Sequence, residues 1–429
     1  MAGICTPKPK TASYAVFWGI RWLSAQPFTR MLQVSRRGTA MPMSPYRKLT
    51  PYADAAKQRG VGVYHLNIGQ PDIETPPAAL AAVQQARIGV LEYSPTAGLP
   101  SYRTKLAAYY QRAGMPVEAE DILVTAGGSE AIFFALMSCL NPGDELIVPE
   151  PFYGAYTAFA VATDVRIVPV TSHIENGYAL PPIAEFESRI TPRTKALLVC
   201  NPNNPTGYVY SRQELEQLLD LCRRHHLYLL SDEAYREFCY DGNYVSALHL
   251  PGAAEHVVVL DTISKRYSAC GARIGAFVTK NKALQAVAFK FAQMRVSPPG
   301  LAQLLGEAAT ELPDSYFDLA KAEYLARRNR MVERLRAIPG VYCPTPGGAF
   351  YIMASLPIAD AEHFALWLLE EFQHDGHTVM ISPATGFYAT PGAGRNEVRL
   401  AYVINQAAID GAMDCLAEAL RQYPGRIGA

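Results

Sequence analysis

The chain has 429 residues, 49% of them hydrophobic, enough to bury one large core and a second smaller one. Lysine plus arginine and aspartate plus glutamate both number 39, so no net field exists to hold a polyanion or an anionic membrane surface. Nucleic acid and membrane are therefore excluded as expected partners, and a small-molecule substrate is favoured. The cysteines lack CxxC spacing and several sit in apolar runs such as Leu197 to Cys200, which argues against a metal site or a disulfide framework and for a reducing, cytoplasmic compartment.

Residues 1–40 form a prefix without Asp or Glu that carries Lys8, Lys10, Arg21, Arg30, Arg36 and Arg37. Three readings stay open for it: a targeting peptide, a start assigned too far upstream with Met31, Met41 or Met43 as the true one, or an ordered segment. Its apolar run Ala15 to Leu23 is interrupted by Arg21 and is too short to span a bilayer.

From about Tyr52 onward, apolar β-branched runs alternate with amphipathic helical stretches, the pattern of an α/β protein with a largely parallel sheet. Strands are expected at Ile122 to Thr125, Glu145 to Val148, Val165 to Val170, Ala196 to Cys200, Leu227 to Ser231, Val257 to Asp261 and Gly275 to Val278. Ser211 and Glu214 have capping-box spacing and open a helix through about His225. After Pro299 the pattern becomes helical, at Leu301 to Leu312 and Tyr316 to Ile338. Strands return at Gly348 to Met353 and Val398 to Val403. The expected architecture is a large domain at 81–315, with a mostly parallel seven-stranded sheet between helices, and a smaller α+β domain built from both chain ends, 41–80 and 316–429.

Open α/β sheets bind ligands beyond the C-terminal ends of their strands. The first expected strand runs into Gly127, Gly128 and Ser129 and then an apolar helix, a place where backbone N–H groups meet the positive end of a helix dipole and suit a phosphate. A tight turn that needs positive φ is the other reading. Neither GxGxxG nor GxxxxGK spacing is present there. Asp232 follows an apolar strand, where a carboxylate wants a cation such as a pyridinium nitrogen or else caps the next helix. Lys265 follows Thr262 and Ser264, with Arg273 eight residues on, so an imine-forming amine and a phosphate clamp fit, although a lone lysine is usually a surface charge.

Taken in order, the motifs carry a resemblance. They are Asn67-Ile68-Gly69-Gln70-Pro71-Asp72, Tyr93 with Gly98, the glycine pair with Ser129, and Pro151-Phe152-Tyr153. Asn201-Pro202-Asn203-Asn204-Pro205-Thr206-Gly207 and Ser231-Asp232-Glu233-Ala234-Tyr235 come next, then Ser264-Lys265, Arg273, Gly347-Gly348-Ala349-Phe350-Tyr351 and Asn396-Glu397-Val398-Arg399. From about Met41 to the end the chain resembles fold-type-I class I/II aminotransferases, the aspartate aminotransferase-like enzymes that use pyridoxal 5′-phosphate and act as homodimers with shared active sites.

The resemblance implies a role for each matching residue. Lys265 forms the internal aldimine and later moves the proton. Asp232 keeps the pyridine nitrogen protonated, and Asn204 and Tyr235 hydrogen-bond the ring hydroxyl oxygen. Tyr153 stacks on the ring and borders the substrate. The phosphate takes Gly128, Ser129, Thr262 or Ser264, Arg273, and Tyr93 from a second subunit. Arg399 clamps the substrate α-carboxylate, helped by Asn204 and the N–H of Gly69.

Two positions depart from the family pattern. Thr262 replaces a Gly or Ser but keeps a hydroxyl, and Arg266 replaces a neutral residue and is expected in an ion pair at a subunit interface. The expected reaction is ping-pong amino transfer between an L-amino acid and a 2-oxo acid. An aspartate or glutamate side chain would meet Arg295, which falls in the segment where relatives bring an arginine from the neighbouring subunit; a surface arginine at a helix end is the alternative. Competing expectations on the same scaffold are a cysteine-S-conjugate β-lyase and an alanine, aromatic or kynurenine-type aminotransferase. A regulator fused to a DNA-binding helix-turn-helix is a third, for which the prefix leaves little room.

Overall fold

The computed structural model describes residues 32–242 and 244–427, preceded by the backbone of a short antiparallel pair, Val16–Phe17 with Ile20–Arg21. The three readings of the prefix otherwise lie outside the described residues, as does Cys5. Residues 1–40 and 41–429 are separate units, the first containing the five-residue helix Arg36–Ala40.

In the second unit a seven-stranded sheet forms the centre. Its strands are β1 (Ile122–Thr125), β2 (Glu145–Glu150), β3 (Arg166–Thr171), β4 (Thr194–Cys200), β5 (Tyr228–Asp232), β6 (Val257–Thr262) and β7 (Gly275–Val278). Across the sheet they lie in the order β1-β7-β6-β5-β4-β2-β3. Only β7 runs antiparallel to its neighbours, β1 and β6; the other pairings are parallel.

These strands are nearly continuous apolar runs because both faces are covered. The period of two divides them between two cores: Leu197, Val199, Val257 and Val259 face one, and Ala196, Leu198, Val258 and Leu260 the other. The helix Arg212–Arg224 starts on the expected capping box, with Ser211 and Glu214 bonded reciprocally. It buries Leu215, Leu218, Leu219 and Cys222 along one stripe.

A further hydrophobic cluster unites Leu49, Ala53 and Leu66 with residues from Ala320 onward. It contains the helix Asp314–Arg336 and a three-stranded antiparallel sheet in which Glu397–Ala401 lies between Tyr351–Ser355 and Ser382–Pro383. The strand expected from Gly348 starts only at Tyr351, because Ala349 adopts a left-handed φ of 57° that no strand can include. Sequence patterning also missed the parallel pair Gly62–His65 with His377–Met380. Among the described residues no helix is long and apolar enough to cross a membrane.

Candidate active site

Strand direction gathers the polar residues at one edge of the sheet. β1, β4, β5 and β6 all end there. β7 runs the other way, so its first residue, Gly275, pairs with both Thr125 and Thr262. Residues after the four strand ends and residues just before β7, including Arg273, are thereby delivered to one place. They line a cavity of about 560 Å³ to which Arg399 is added from the smaller sheet. The cavity contains Gly69, Gly128, Ser129, Tyr153, Asn204, Asp232, Tyr235, Thr262, Ser264, Lys265, Arg273 and Arg399, all expected site residues.

Lys265 sits in a one-turn helix, Ile263–Arg266, capped by the Thr262 hydroxyl. Its Nζ donates to the Gly69 carbonyl at 2.8 Å and lies 3.8 Å from Cys270 Sγ. Asp232, the last residue of β5, is buried and accepts from the Tyr156 hydroxyl at 2.7 Å and from the Ala234 N–H at 3.2 Å. Burial outweighs these donors and pushes the carboxyl up to about 6.

Gly127 has a φ of +87°, and a Cβ on it would stand 2.5 Å from an Arg273 guanidinium nitrogen. That glycine brings Arg273 up to the N-terminus of the helix Gly128–Cys139. The hydroxyls of Thr262 and Ser264 are 2.8 Å apart at the same end.

On the opposite side Arg399 is almost fully buried, donating to Asn204 Oδ1 at 3.0 Å and to the Asn67 carbonyl at 2.5 Å. The rings of Tyr351, Phe387 and Tyr46 surround its guanidinium at 4.4, 4.9 and 5.2 Å, while its Nε is buried without a partner. Tyr235 and Tyr351 share a hydrogen bond at 2.7 Å, and burial followed by this neighbour raises the Tyr235 phenol well above its usual range.

Arg266 corrects one expectation. It is not an interface residue but is buried within its own chain, bonded to both carboxylate oxygens of Asp261 at 2.7 and 2.8 Å and stacked on Tyr109 at 4.7 Å. Burial opposes ionisation of Asp261, but Arg266 and Arg236 prevail and hold its carboxyl below the ordinary value. Beside it Glu233 pairs with Arg236 at 2.8 Å. Two buried ion pairs thus anchor the chain immediately after Asp232 and after Lys265.

Aminotransferase class I and II is the family whose description matches residues 61–416. The chain belongs to the class I and II aminotransferases. The aspartate/prephenate aminotransferase of Thermus thermophilus is 34% identical over 398 residues, covering 91% of this chain and 99% of the relative. The arginine–pyruvate transaminase of Pseudomonas aeruginosa is 33% identical over 377 residues, with coverage of 86% and 93%. Solved structures agree: the Thermus thermophilus aspartate aminotransferase with maleate has a TM-score of 0.82 at 32% identity, covering 91% of this chain and 100% of that one. The Pyrococcus furiosus alanine aminotransferase has a TM-score of 0.83 at 28% identity, with coverage of 90% and 99%.

Within this aminotransferase, two expected residues stand away from the cavity of their own chain. Tyr93 is 83% exposed. Arg295 donates to the Val124 carbonyl at 3.0 Å and pairs with Glu130 at 3.3 Å, so its charge is engaged inside the large sheet's helical layer. Other lining residues had no role from sequence reasoning. Tyr351 could have been found from its motif, whereas Tyr46 and Cys270 carry no local signal; nor does Tyr156, which bonds Asp232 without lining the cavity.

Proposed function

We propose that the cavity holds pyridoxal 5′-phosphate and that the enzyme moves an amino group between an L-amino acid and a 2-oxo acid, with substrates of the aspartate or glutamate type preferred. The observation that carries this reading is Asp232: among the described residues, its only side-chain partner is the neutral Tyr156 hydroxyl. A buried carboxylate without a cation is costly, and a protonated pyridine nitrogen is a cation of the right size and polarity to meet it. When bound, the cofactor supplies an aldehyde that condenses with amines and a ring that takes up the electron pair left by a departing α-proton.

The chain's own residues divide the remaining work. The N–H groups of Gly128 and Ser129, the hydroxyls of Thr262 and Ser264, and Arg273 would hold the phosphate. Asn204 and Tyr235 would bond the ring hydroxyl oxygen, and Tyr153 would cover the ring. Lys265 would bind the cofactor aldehyde and then carry a proton at the substrate α-carbon. Arg399, with its unpartnered Nε, would take the α-carboxylate beside Asn204 and Gly69, fixing which bond of the substrate stands against the ring.

A homodimer in which Tyr93 reaches the phosphate of a second subunit is supported by apolar exposure. Val90, Leu91, Tyr93 and Met294 are 74%, 64%, 83% and 71% exposed. The two segments are tied by the bond from Ser94 Oγ to the Pro298 carbonyl. A division into a large domain at 81–315 and a small one from 41–80 and 316–429 is supported by a core cluster that joins Leu49, Ala53 and Leu66 mainly to residues from Ala320 onward, although it also takes in Cys200, Tyr235 and Phe238 of the large domain. The free cysteines suit a cytoplasmic location. The dicarboxylate preference is supported by the aspartate aminotransferases among its relatives.

The test is to add single amino acids to the cofactor-loaded enzyme and measure what is released. Formation of the matching 2-oxo acid, and of a new amino acid when a second 2-oxo acid is supplied, agrees with the proposal. Ammonia and pyruvate from a cysteine conjugate, without amino transfer, would assign a β-lyase instead.

A further inference from the structure

Four basic side chains line the cavity, Arg47, Lys265, Arg273 and Arg399, against one acid, Asp232. On the aminotransferase reading, upon which this inference rests, Arg273 serves the phosphate, Arg399 the α-carboxylate, and Lys265 the carbonyl chemistry. Arg47 is left over. Among the described residues it is also the one cavity cation without a side-chain hydrogen bond or ion pair: Lys265 bonds Gly69, Arg273 bonds the Cys270 carbonyl at 3.0 Å, and Arg399 bonds Asn204.

The backbone beside Arg47 is held firmly. Pro45 is buried in a notch that needs two glycines: a Cβ on Gly154 would lie 2.9 Å from Pro45 Cγ, and one on Gly386 would strike Pro45 Cβ. Tyr46, next in the chain, accepts from Asn67 Nδ2 through its carbonyl at 2.9 Å and donates its hydroxyl to that of Tyr153 at 3.3 Å. Its ring stands 5.2 Å from the Arg399 guanidinium. Arg47 is thereby tethered at the Arg399 end of the cavity rather than at the Arg273 end.

We propose that Arg47 recognises the distal carboxylate of a dicarboxylic substrate, the role that sequence reasoning gave to Arg295. Arg47 is an exposed residue of the cavity lining, and a guanidinium can form a forked pair with a carboxylate. Arg295 would first have to give up Glu130 and the Val124 carbonyl.

The experiment compares the dissociation constants of succinate and butyrate on the cofactor-loaded enzyme by calorimetry, together with the ratio of kcat/KM for aspartate to that for alanine. Wild type should favour succinate and aspartate. Arg47→Gln should reduce both preferences about tenfold or more, Arg47→Lys should keep part of them, and Arg295→Ala should keep most. Since Arg47 is exposed, thermal melting checks that the variant folds. Preferences that change less than twofold in Arg47→Gln, or that are absent in wild type, overturn the proposal. So does their loss in Arg295→Ala alone. A wild-type enzyme that transfers no amino group from any amino acid would instead sink the aminotransferase reading itself.

Discussion

Tyr156 donates its hydroxyl hydrogen to Asp232 Oδ2 at 2.7 Å, joining the helix Ala155–Thr163 to the end of β5 beneath the cavity. This neutral donor stabilises the ionised carboxylate but does not offset its burial, which leaves the carboxyl at about 6 against an ordinary 3.8. Because the folded value is raised, the contribution of Asp232 to the stability of the cofactor-free protein is fully present below about 3.8 and is lost as pH rises through about 6. Chemical denaturation across this range should show wild type losing up to roughly 3 kcal/mol relative to Asp232→Asn, and Tyr156→Phe should extend the loss to higher pH. A difference independent of pH would contradict this.

The Asp261–Arg266 pair is shielded from water on all sides. Arg266→Ala leaves the Asp261 carboxylate with Tyr110 and the Thr262 N–H but no bonded cation. The expected cost is about 3–5 kcal/mol, read as a lower denaturation midpoint at unchanged slope. A cost under about 1 kcal/mol would mean the pair is solvated like an ordinary surface bridge.

Gly127→Ala should act on cofactor affinity. The new Cβ meets Arg273 and the backbone must keep a φ of +87° that alanine disfavours. Equilibrium titration of the cofactor-free chain should show pyridoxal phosphate binding weakened about tenfold or more. Unaltered affinity would remove Arg273 and this turn from the phosphate site.

Arg399→Lys keeps the charge but loses the fork. Asn204, Asn67 and the bound carboxylate cannot all be served by one ammonium in that position. We expect kcat/KM for every amino acid to fall about tenfold to a hundredfold, with no change in the preference among side chains. A change confined to dicarboxylic substrates would place Arg399 at the distal group instead.

Much of the site was legible because strand ends are visible in sequence. β1 and β7 were bounded correctly, since their short buried runs begin abruptly, after Asp121 and on Gly275, and the residues just beyond such runs are the ones an α/β sheet presents to ligands. Arg273 could be placed near a phosphate without knowing why. The reason, that β7 is antiparallel and begins where the others end, is a property of strand order. Arg266 was misread because its partner Asp261 is five residues back, on the other side of a turn whose shape the sequence does not display. Tyr156 and Arg47 owe their significance to contacts between elements distant in the chain, Asp232 for one and the Pro45 notch for the other. Local patterning carries no signal for either.

The most direct test of the central claim is to reduce the cofactor-loaded enzyme with borohydride, digest it and map the modified peptide by mass spectrometry. One cofactor mass, as a reduced phosphopyridoxyl group, is expected on Lys265, absent from Lys265→Ala together with all amino transfer. A modification on a different lysine, or amino transfer that survives Lys265→Ala, would contradict the assignment.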